Sequence, residues 1–369
     1  MRVIVTGGGT GGHIYPALAI AERILAELPD SEVLYIGCDN GLENSIVPTT
    51  SIPFKTISAQ GLPRKLTPAL ARSLLVNSKG VVEARRYIKE FHPDLVIGTG
   101  GFVCGPTVLM ACMNHIPAMI HEQNAYPGMT NRLLAARVNK VMINYPEASR
   151  FFVKAKETVL TGLPVRNDIG KLSKEEGCEK FGLDPKKKTI LITGGSRGAR
   201  TINRVSALAL TGILANPEVQ VIFITGKVGY VETSLLIKDS DSSVLRDERL
   251  RFLEYTHDMP YALAAADVVV GRAGATFLAE IAVCGLPGIL VPYPYASDNH
   301  QQFNAQAVVD AGAGEMILDN ELTVPKLTAA LNDFLNDDEY YQAKKDAMFE
   351  LAKPAALDDI MMLVKSFEK

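Results

Sequence analysis

His13 is the residue of this sequence best placed for acid–base chemistry, because it directly follows a glycine-rich turn, residues 7–12. A neutral imidazole can take a proton from an attacking hydroxyl near neutral pH. Glu122 is a second candidate base, in the polar run His121-Glu122-Gln123-Asn124 that follows an apolar segment. A histidine that caps a helix and a hydrogen-bonded polar turn are the structural alternatives for these two positions.

Three glycine-rich turns each follow a predicted strand, where open α/β sheets bind their ligands. Glycine lets backbone N–H groups approach an anion, and the start of the following helix favours negative charge. In the third turn Ser196, Arg197 and Arg200 add a hydroxyl and charge suited to a diphosphate, or else cap and flank a helix. These turns predict a phosphate-bearing ligand and leave its kind open. They are Gly7-x-Gly9-x-x-Gly12, Gly98-Thr99-Gly100-Gly101 and Gly194-Gly195-Ser196-Arg197-Gly198.

The first turn also satisfies the dinucleotide-binding fingerprint, with Asp39 after the second strand. An NAD-dependent oxidoreductase is therefore one alternative, although it explains only this turn and Asp39. A non-catalytic nucleotide-sugar-binding protein is another. A sugar transferase explains more, because Glu280 follows the turn at residues 271–276 and can accept hydrogen bonds from paired hydroxyls. Residues 298–304 are rich in amides, which suit neutral sugar hydroxyls. An ordinary helix-surface glutamate and a polar, solvated loop are the structural alternatives for these two features.

Short, continuously apolar runs alternate with helical patterns, which predicts doubly wound α/β structure with parallel strands covered on both faces. Two separate strand–glycine turn–helix starts, at residues 3–13 and 189–200, indicate two Rossmann-like units. Glycine and proline place the boundary near residues 161–166. The predicted strands are residues 3–6, 32–36, 95–97, 118–121, 140–143, 158–160, 189–193, 220–225, 250–252, 268–270 and 288–291.

Composition narrows the class of protein. The 369 residues are 47% hydrophobic and carry a net charge of −3, so no basic field indicates nucleic-acid binding. The five cysteines are scattered and form no C-x-x-C pair, which favours reduced thiols over disulfides or zinc. The longest apolar stretch, residues 102–120, is interrupted by glycine, proline and polar residues, and we expect neither a membrane span nor a signal peptide.

Together these segments resemble the MurG family, the N-acetylglucosaminyltransferases of bacterial cell-wall synthesis. The resemblance runs almost from end to end of the chain. It rests on GGGTGGHIYPALAIAE, GTGGFVCGP, HEQNAYPGMTNRLLA, TGLPVR, ITGGSRGARTIN, DMPYALAAADVVVGRAGATFLAEI and DNHQQFNA.

The resemblance implies a GT-B fold, in which two Rossmann-like doubly wound parallel-sheet domains face a deep cleft. It implies metal-independent, cofactor-independent transfer of GlcNAc from UDP-GlcNAc to the 4-hydroxyl of MurNAc in undecaprenyl-pyrophosphoryl-MurNAc-pentapeptide (lipid I), with inversion, giving lipid II and UDP. The expected domains are residues 1–163, facing acceptor and membrane, and residues 164–349, binding the donor. A C-terminal helix, about residues 350–369, is expected to pack back on the first domain.

The resemblance also assigns roles to individual residues. Glu280 matches the ribose-binding carboxylate, and Thr256 falls where the family contacts uracil through the backbone. His13 and Glu122 are the catalytic candidates, and which of them takes the proton stays open. The stretch of residues 255–259 departs from the family at Thr256 and His257, so only a main-chain role for Thr256 is carried over. The donor-site residues so implied are Thr10, Gly11, Gly12, Asn124, Arg166, Ser196, Thr256, Ala275, Thr276, Glu280, Gln301 and Gln302.

Residues 64–90 combine basic and apolar side chains in a pattern that can dock on anionic lipid without spanning it. A solvated helix over a core is the alternative, but a lipid-linked acceptor favours docking. We therefore expect a peripheral protein at the cytoplasmic face of the cell membrane, with cell-wall synthesis proteins as further possible partners. The basic residues are Arg64, Lys65, Arg72, Lys79, Arg85, Arg86 and Lys89, against Glu83 and Glu90.

Overall fold

The computed structural model describes residues 1–61, 68–195 and 198–368, apart from the side chain of Ala69. The chain divides into two compact units. The first comprises Met1–Val165 and Lys353–Lys369, and the second comprises Arg166–Ala352. Ser196, Arg197, Arg64 and Lys65, which the sequence singles out, lie outside the described residues.

The strands of the described residues all pair in parallel within two sheets, as their continuously apolar sequences predict. In chain order they are β1 (Arg2–Thr6), β2 (Glu32–Cys38), β3 (Phe54–Ile57), β4 (Leu95–Gly98), β5 (Ala118–Glu122), β6 (Lys140–Ile143), β7 (Thr158–Leu160), β8 (Lys188–Thr193), β9 (Val219–Ile224), β10 (Leu250–Leu253), β11 (Val268–Gly271), β12 (Gly288–Leu290) and β13 (Gly314–Met316).

None of the α-helices among the described residues is both long and apolar enough to cross a membrane. Short 3₁₀ turns connect several of them, for example Val47–Thr49 and Ser297–Asn299. The α-helices are α1 (Gly11–Glu27), α2 (Glu43–Ile46), α3 (Pro68–Phe91), α4 (Cys104–Met113), α5 (Met129–Leu134), α6 (Lys174–Phe181), α7 (Arg200–Leu214), α8 (Tyr230–Asp241), α9 (Met259–Ala265), α10 (Ala275–Val283), α11 (His300–Asp310), α12 (Val324–Asn336), α13 (Asp338–Leu351) and α14 (Ala356–Lys365).

The sheet of the first unit has the order β3-β2-β1-β4-β5-β6-β7. After β1 the chain adds β2 and β3 on one side and then returns to add β4 on the other. The strand order therefore reverses between β1 and β4. The helices that follow these two strands, α1 and α4, cover opposite faces of the sheet. Such a switch point is where open α/β sheets bind ligands. In this unit it brings together the glycine turns after β1 and β4.

Both faces of this first sheet are covered, which explains why its strands do not alternate in polarity. Val3 and Val5 pack with Ile14 and Ile20 of α1 on one face. Ile4 lies on the opposite face, in the core that α3 and α4 cover. The C-terminal helix α14 joins the α1 side, where Ile360, Met361 and Val364 are buried in the same core as Val3.

The second unit repeats the plan with the order β10-β9-β8-β11-β12-β13, and its strand order reverses between β8 and β11. Ile190 and Ile192 of β8 pack with Phe223 of β9 in a core that also includes Leu210 of α7 and Phe334 of α12. The third glycine turn leaves β8 and the turn at residues 271–274 leaves β11 at this switch point. The predicted α/β class with two parallel-sheet units is confirmed.

Candidate functional site

The first glycine turn is built for close approach of backbone to backbone. A Cβ on Gly7 would lie 2.1 Å from the Thr99 Oγ1 atom, and Gly9 has a φ of +83° that disfavours other residues. Thr10 is extended, with φ −141° and ψ 156°, and α1 begins at the next residue. The N–H groups of Gly11 and Gly12 therefore lie in the first turn of a 17-residue helix, where an anion is favoured.

The turn after β4 interlocks with this first turn. Gly100 and Gly101 have φ values of +106° and +82°. A Cβ on Gly101 would lie only 2.3 Å from the Gly8 carbonyl oxygen, so the two backbones touch directly. The Thr99 hydroxyl completes the junction by donating to the His13 carbonyl oxygen at 2.7 Å. The structure thus brings together the two glycine turns that the sequence predicts in the first unit.

His13 is half-buried at this junction, and its hydrogen bonds define its tautomer. The Nδ1 atom lies 3.0 Å from the Gly8 carbonyl oxygen and 3.2 Å from the Thr10 hydroxyl. Because a carbonyl oxygen only accepts, the short contact to Gly8 requires a proton on Nδ1. In the neutral ring Nε2 then carries the lone pair. Gly100 leaves room for that edge of the ring, since a Cβ there would lie 3.1 Å from Nε2.

Glu122, the second candidate base, ends β5 with only 2% of its surface exposed. Its Oε1 atom accepts from the backbone N–H and the side-chain amide of Asn124, at 3.0 and 3.1 Å. Its Oε2 atom accepts from the Gly128 N–H at 3.0 Å and the Asn131 amide at 2.8 Å. Four donors thus surround the carboxylate, which closes the turn between β5 and α5. Asn124, a predicted donor-site residue, is held by Glu122.

His121, beside Glu122, is fully buried and has a different role from His13. Its Nε2 atom donates to the Gly162 carbonyl oxygen at 2.8 Å, and the Gln123 amide donates to its Nδ1 atom at 3.0 Å. Burial lowers the pKa of His121 to about 4, against the opposing effect of the Gly162 bond. The same Gln123 amide also reaches the Thr99 carbonyl oxygen at 2.6 Å. The pair therefore ties the end of β5 to the β4 turn.

In the second unit, Arg166 and Glu280 form an ion pair. The guanidinium Nε and Nη2 atoms both lie 3.1 Å from the Glu280 Oε1 atom. The Arg166 side chain is 46% exposed, whereas that of Glu280, in the second turn of α10, is 9% exposed. Burial raises the pKa of Glu280, and the Arg166 charge opposes this shift. Two predicted donor-site residues are thus in direct contact.

Several other predicted residues lie around the start of α10. Ala275 begins the helix, and the buried Thr276 hydroxyl has no hydrogen-bond partner among the described residues. A Cβ on Gly274 would lie 4.0 Å from the Gln301 amide nitrogen, so Gln301 adjoins the same helix start. The Gln301 carbonyl group accepts from the Tyr293 N–H at 2.9 Å. Gln302, the next residue on α11, is exposed.

Thr256 uses its side chain locally. Its hydroxyl accepts from the Asp258 N–H at 2.9 Å, immediately before α9. The side chain is therefore engaged in closing the turn at the start of this helix. This agrees with a main-chain role for Thr256 in ligand binding, and it gives no support to a side-chain role.

Glu43, at the start of α2, is a buried residue that contacts the first glycine turn and that the sequence does not reveal. Its carboxylate accepts from the Gly9 N–H at 3.1 Å and from the Cys38 N–H at 2.9 Å. The local signal is a glutamate beside the glycine and two asparagines of CDNGLEN, a composition equally typical of an exposed turn. A cavity of about 420 Å³ adjoins this region, lined by Gly9, Asn40, Gly41, Leu42, Asn44, Ser45 and Phe102.

Two family models match the chain. The model of the glycosyltransferase family 28 N-terminal domain matches residues 3–143, and that of the C-terminal domain matches residues 189–360. Solved structures share the fold. A MurG from Acinetobacter baumannii is 28% identical, with a TM-score of 0.79 and 99% of each chain covered. MnaA from S. aureus, solved with UDP, is 15% identical with a TM-score of 0.70, covering 100% of this chain and 97% of its own, and shows the fold alone.

Full-length relatives are closer in sequence. A UDP-N-acetylglucosamine–N-acetylmuramyl-(pentapeptide) pyrophosphoryl-undecaprenol N-acetylglucosamine transferase of Desulfitobacterium hafniense strain Y51 is 50% identical, and 98% of each chain is covered. The enzyme of the same name from Desulforamulus reducens is 43% identical, covering 99% of this chain and 98% of its own. On this similarity and on its two-unit GT-B fold, the chain belongs to the MurG family of N-acetylglucosaminyltransferases.

Proposed function

We propose that this chain transfers GlcNAc from UDP-GlcNAc to the MurNAc 4-hydroxyl of lipid I, giving lipid II and UDP with inversion at the anomeric carbon. The substrates follow from the names of its full-length relatives. The observation that carries the chemistry is His13, whose Nδ1–H donates to the Gly8 carbonyl oxygen and so leaves Nε2 as the acceptor. A ring in this state can take a proton from a hydroxyl without a change of tautomer.

The reaction is a single in-line displacement. The acceptor oxygen forms a bond to the anomeric carbon as its proton passes to His13 Nε2. The bond between that carbon and the diphosphate oxygen breaks, and its electron pair leaves with UDP. Inversion follows because attack and departure take place on opposite faces of the carbon. The transition state gathers negative charge on the diphosphate, which fixed positive groups and helix N-termini can stabilise.

The donor is assigned to the second unit. Glu280 accepts hydrogen bonds from the ribose hydroxyls, and the start of α10, with Ala275 and the buried Thr276 hydroxyl, contacts the diphosphate. Arg166, which neighbours Glu280 at 3.1 Å, lies close enough to add positive charge beside the nucleotide. Of the remaining proposed roles, the Thr256 backbone binds uracil, and Ser196 lies near the nucleotide or its phosphates. Thr10, Gly11, Gly12 and Asn124 contact the donor, and Gln301 and Gln302 bind the GlcNAc hydroxyls.

The acceptor is assigned to the first unit, with Glu122 as an organising residue and His13 as the base. The four donors around Glu122 fix its carboxylate in the turn after β5. A base must share such partners with the incoming proton, whereas the Nδ1–H bond to Gly8 already holds His13 in the tautomer whose Nε2 can accept one. This difference favours His13 as the base.

The direct test is transfer of labelled GlcNAc from UDP-GlcNAc to a lipid I analogue by the purified full-length chain. UDP-glucose and UDP-GalNAc serve as competing donors. We expect a disaccharide product with a β linkage, and rates at least about tenfold lower with the other donors, since sites that hydrogen-bond a substrate group reject analogues that lack it. Absence of transfer, or a product with retained configuration, would overturn the proposal.

We also propose that α3 docks the first unit on the cytoplasmic face of the cell membrane. Residues 73, 80, 84 and 88 of this helix are buried, and the opposite stripe is exposed. On that stripe Leu75 is 73% exposed and Val82 is 68% exposed, with Lys79 and Arg86 one turn further along from each. Exposed apolar side chains flanked by cations suit an anionic lipid surface.

Vesicle sedimentation tests this docking with the full-length chain. Leu75→Ser with Val82→Ser should weaken binding to vesicles containing anionic lipid about tenfold or more, because each apolar side chain buried in lipid contributes about 1.5–3 kcal/mol. Leu235→Ser on α8 of the second unit, where the residue is 54% exposed, is the matched control and should bind as the unmodified chain does. Equal binding by both variants would exclude this face.

Protein partners in cell-wall synthesis stay a prediction from the family resemblance.

A further inference from the structure

Glu43 is a carboxylate inside the first unit, at the start of the short helix α2. Its exposed fraction is 0%, and its two oxygens accept from the backbone N–H groups of Cys38 and Gly9. Burying a carboxylate is costly unless hydrogen bonds replace the lost water. Here those bonds come from two separate segments, the end of β2 and the glycine turn after β1. Glu43 therefore joins the turn to the sheet.

Three glycines make room for this carboxylate. A Cβ on Gly8 or on Gly41 would lie 2.2 Å from Glu43 side-chain oxygen or carbon atoms, and one on Gly37 would lie 2.6 Å from its Cγ atom. Any larger residue at these positions would displace the acid. The glycine-rich composition of this region thus serves a buried acid as well as a phosphate-binding turn.

The bond from Gly9 to Glu43 and the bond from His13 to Gly8 involve one and the same peptide group. The Gly9 N–H donates to Glu43 Oε2 at 3.1 Å, and the carbonyl of that peptide, Gly8 C=O, accepts from His13 Nδ1 at 3.0 Å. A peptide group is planar and its N–H and C=O dipoles are aligned. A negative charge at the N–H end therefore fixes the plane and strengthens the carbonyl as an acceptor, since linked hydrogen bonds polarise one another.

We propose that Glu43 is a positioning residue that acts on His13 through the Gly8–Gly9 peptide group, holding the imidazole with Nδ1 protonated and Nε2 as the proton acceptor. This inference rests on the proposed function only in that His13 is the base of the transfer. Carboxylates that orient histidines directly set the tautomer and orientation of the ring in the same way. Here a peptide group stands between the acid and the ring.

The first glycine turn has other attachments that keep it in place when Glu43 is changed. The Tyr35 hydroxyl donates to the Gly7 carbonyl oxygen at 2.8 Å. The Thr99 hydroxyl donates to the His13 carbonyl oxygen at 2.7 Å. These bonds hold the ends of the turn, whereas the Glu43 carboxylate accepts from the N–H of the peptide that faces the ring nitrogen. A change at Glu43 should therefore alter the orientation of His13 more than the fold.

Glu43→Gln in the full-length chain is the first test. An amide offers one acceptor oxygen and an NH₂ group, so it cannot accept from both N–H donors as the carboxylate does. We expect kcat to fall about 10- to 100-fold, the usual effect of removing the partner that orients a functional histidine. KM for UDP-GlcNAc should stay within about threefold, because the effect falls on the proton transfer. Glu43→Asp keeps the charge and should recover part of the loss.

Asp94→Asn is the matched control. Asp94 also accepts from a backbone N–H, that of Arg2 at 2.8 Å, but it lies at the opposite end of β1. Because the asparagine oxygen is an uncharged and weaker acceptor, this change should lower the unfolding midpoint slightly and leave kcat unchanged. A double variant adds a second criterion. If Glu43 acts through His13, adding Glu43→Gln to His13→Ala should cause no further loss of kcat, whereas multiplied losses would overturn the proposal.

A readout independent of activity is the ¹⁵N spectrum of histidine-labelled protein, with the His13 resonances identified by their loss in His13→Ala. The unmodified chain should give the Nδ1–H tautomer for His13, and Glu43→Gln should give a mixture. If Glu43→Gln does not fold, the spectrum of Glu43→Asp takes its place, and a partial shift of His13 toward a mixture of tautomers is then the expected result. An unchanged tautomer with unchanged kcat would refute the role of Glu43. Failure of the unmodified chain to transfer GlcNAc would refute the proposed function, while the spectrum would still test the link from Glu43 to His13.

Discussion

The two units bury carboxylates in opposite ways. In the first unit Glu43 and Glu122 are surrounded by N–H donors, nearly all from their own neighbouring turns. In the second unit Glu280 is also buried, but its partner is the guanidinium of Arg166, whose side chain is 46% exposed. The first arrangement holds the turns around Glu43 and Glu122 in place. The second leaves Glu280 with a partner that can be exchanged, which suits the ribose-binding role that we propose for it.

The same contrast applies to the electrostatics. Most of the donors described for Glu43 and Glu122 are backbone N–H groups, which are held by the fold, and the Asn124 and Asn131 amides supply the others. An arginine in contact with solvent can rotate away at modest cost, because a partly exposed ion pair contributes little. Burial still raises the pKa of Glu280, against the effect of Arg166. If Arg166 rotated away, ribose hydroxyls would take its place as hydrogen-bond donors to the Glu280 carboxylate, which needs donors because it is buried.

The largest effect is expected for His13→Ala. Loss of a general base typically lowers turnover about 10²- to 10⁴-fold, whereas the affinity for UDP should change less than about threefold. Single-turnover transfer and calorimetric titration of UDP separate the two quantities. His115→Asn is the control, since His115 is exposed with a φ of +58° that asparagine tolerates. If His13→Ala kept its kcat, the base would lie elsewhere and Glu122 would be the next candidate.

Glu280→Gln should have the next largest effect, on donor binding. Hydrogen bonds to a charged group contribute about 1.5–3 kcal/mol, so the Kd of UDP should rise about 10- to 100-fold. The variant should also bind UDP and 2′-deoxy-UDP with similar affinity, because the group that distinguishes them is gone. Glu321→Gln is the control, because it also removes the charge of a paired glutamate in the second unit, at a side chain that is 50% exposed and paired with Lys326. Preserved discrimination between the two nucleotides would show that Glu280 does not bind the ribose.

The sequence predicts most of the fold, because buried parallel strands have continuous apolar runs that are easily distinguished from helices. It does not predict β3 and β13, the strands at one edge of each sheet. An edge strand is covered less completely, and here Phe54–Ile57 includes the exposed Lys55 while Gly314–Met316 is only three residues long. Neither has the apolar run by which the central strands are found.

The candidate site was predictable where chemistry depends on residues close in sequence. The glycine turns, His13 and the polar end of β5 are local patterns, and resemblance to the MurG family supplied the remaining residues. Glu43 was not predictable, because its role depends on an N–H donor 34 positions away along the chain. The saturation of the Glu122 carboxylate with hydrogen bonds could not be predicted from the sequence for a similar reason, since its donors come together only when the turn before α5 closes.

Glu122→Gln tests whether that saturation makes Glu122 a framework residue. Removing the charge leaves N–H donors facing an NH₂ group, which should destabilise the first unit by about 1–3 kcal/mol. The kcat of the folded variant should fall far less than that of His13→Ala. Hydrogen exchange of the peptides covering β5 and α5 reports the stability, and transfer assays below the unfolding midpoint report the rate. A loss of kcat equal to that of His13→Ala, with unchanged exchange, would instead make Glu122 the base.

The smallest effect concerns His121, the buried neighbour of Glu122. Its pKa is lowered from 6.5 to about 4 by burial, so between these values the unfolded chain binds a proton that the folded chain does not. The free energy of unfolding should therefore fall as the pH drops from about 6.5 to about 4, by on the order of 3 kcal/mol in full. His121→Asn removes this titration, so its stability should depend less on pH over that range.

Hydrogen exchange of β5 peptides at pH 7 and pH 5 measures this difference within the first unit, where two-state unfolding of the whole chain need not hold. Exchange rates are compared after correction for the intrinsic effect of pH. The exposed His115, replaced in His115→Asn, is again the control and should leave the pH dependence intact. An equal pH dependence in His121→Asn would show that His121 does not account for the acid sensitivity of this unit.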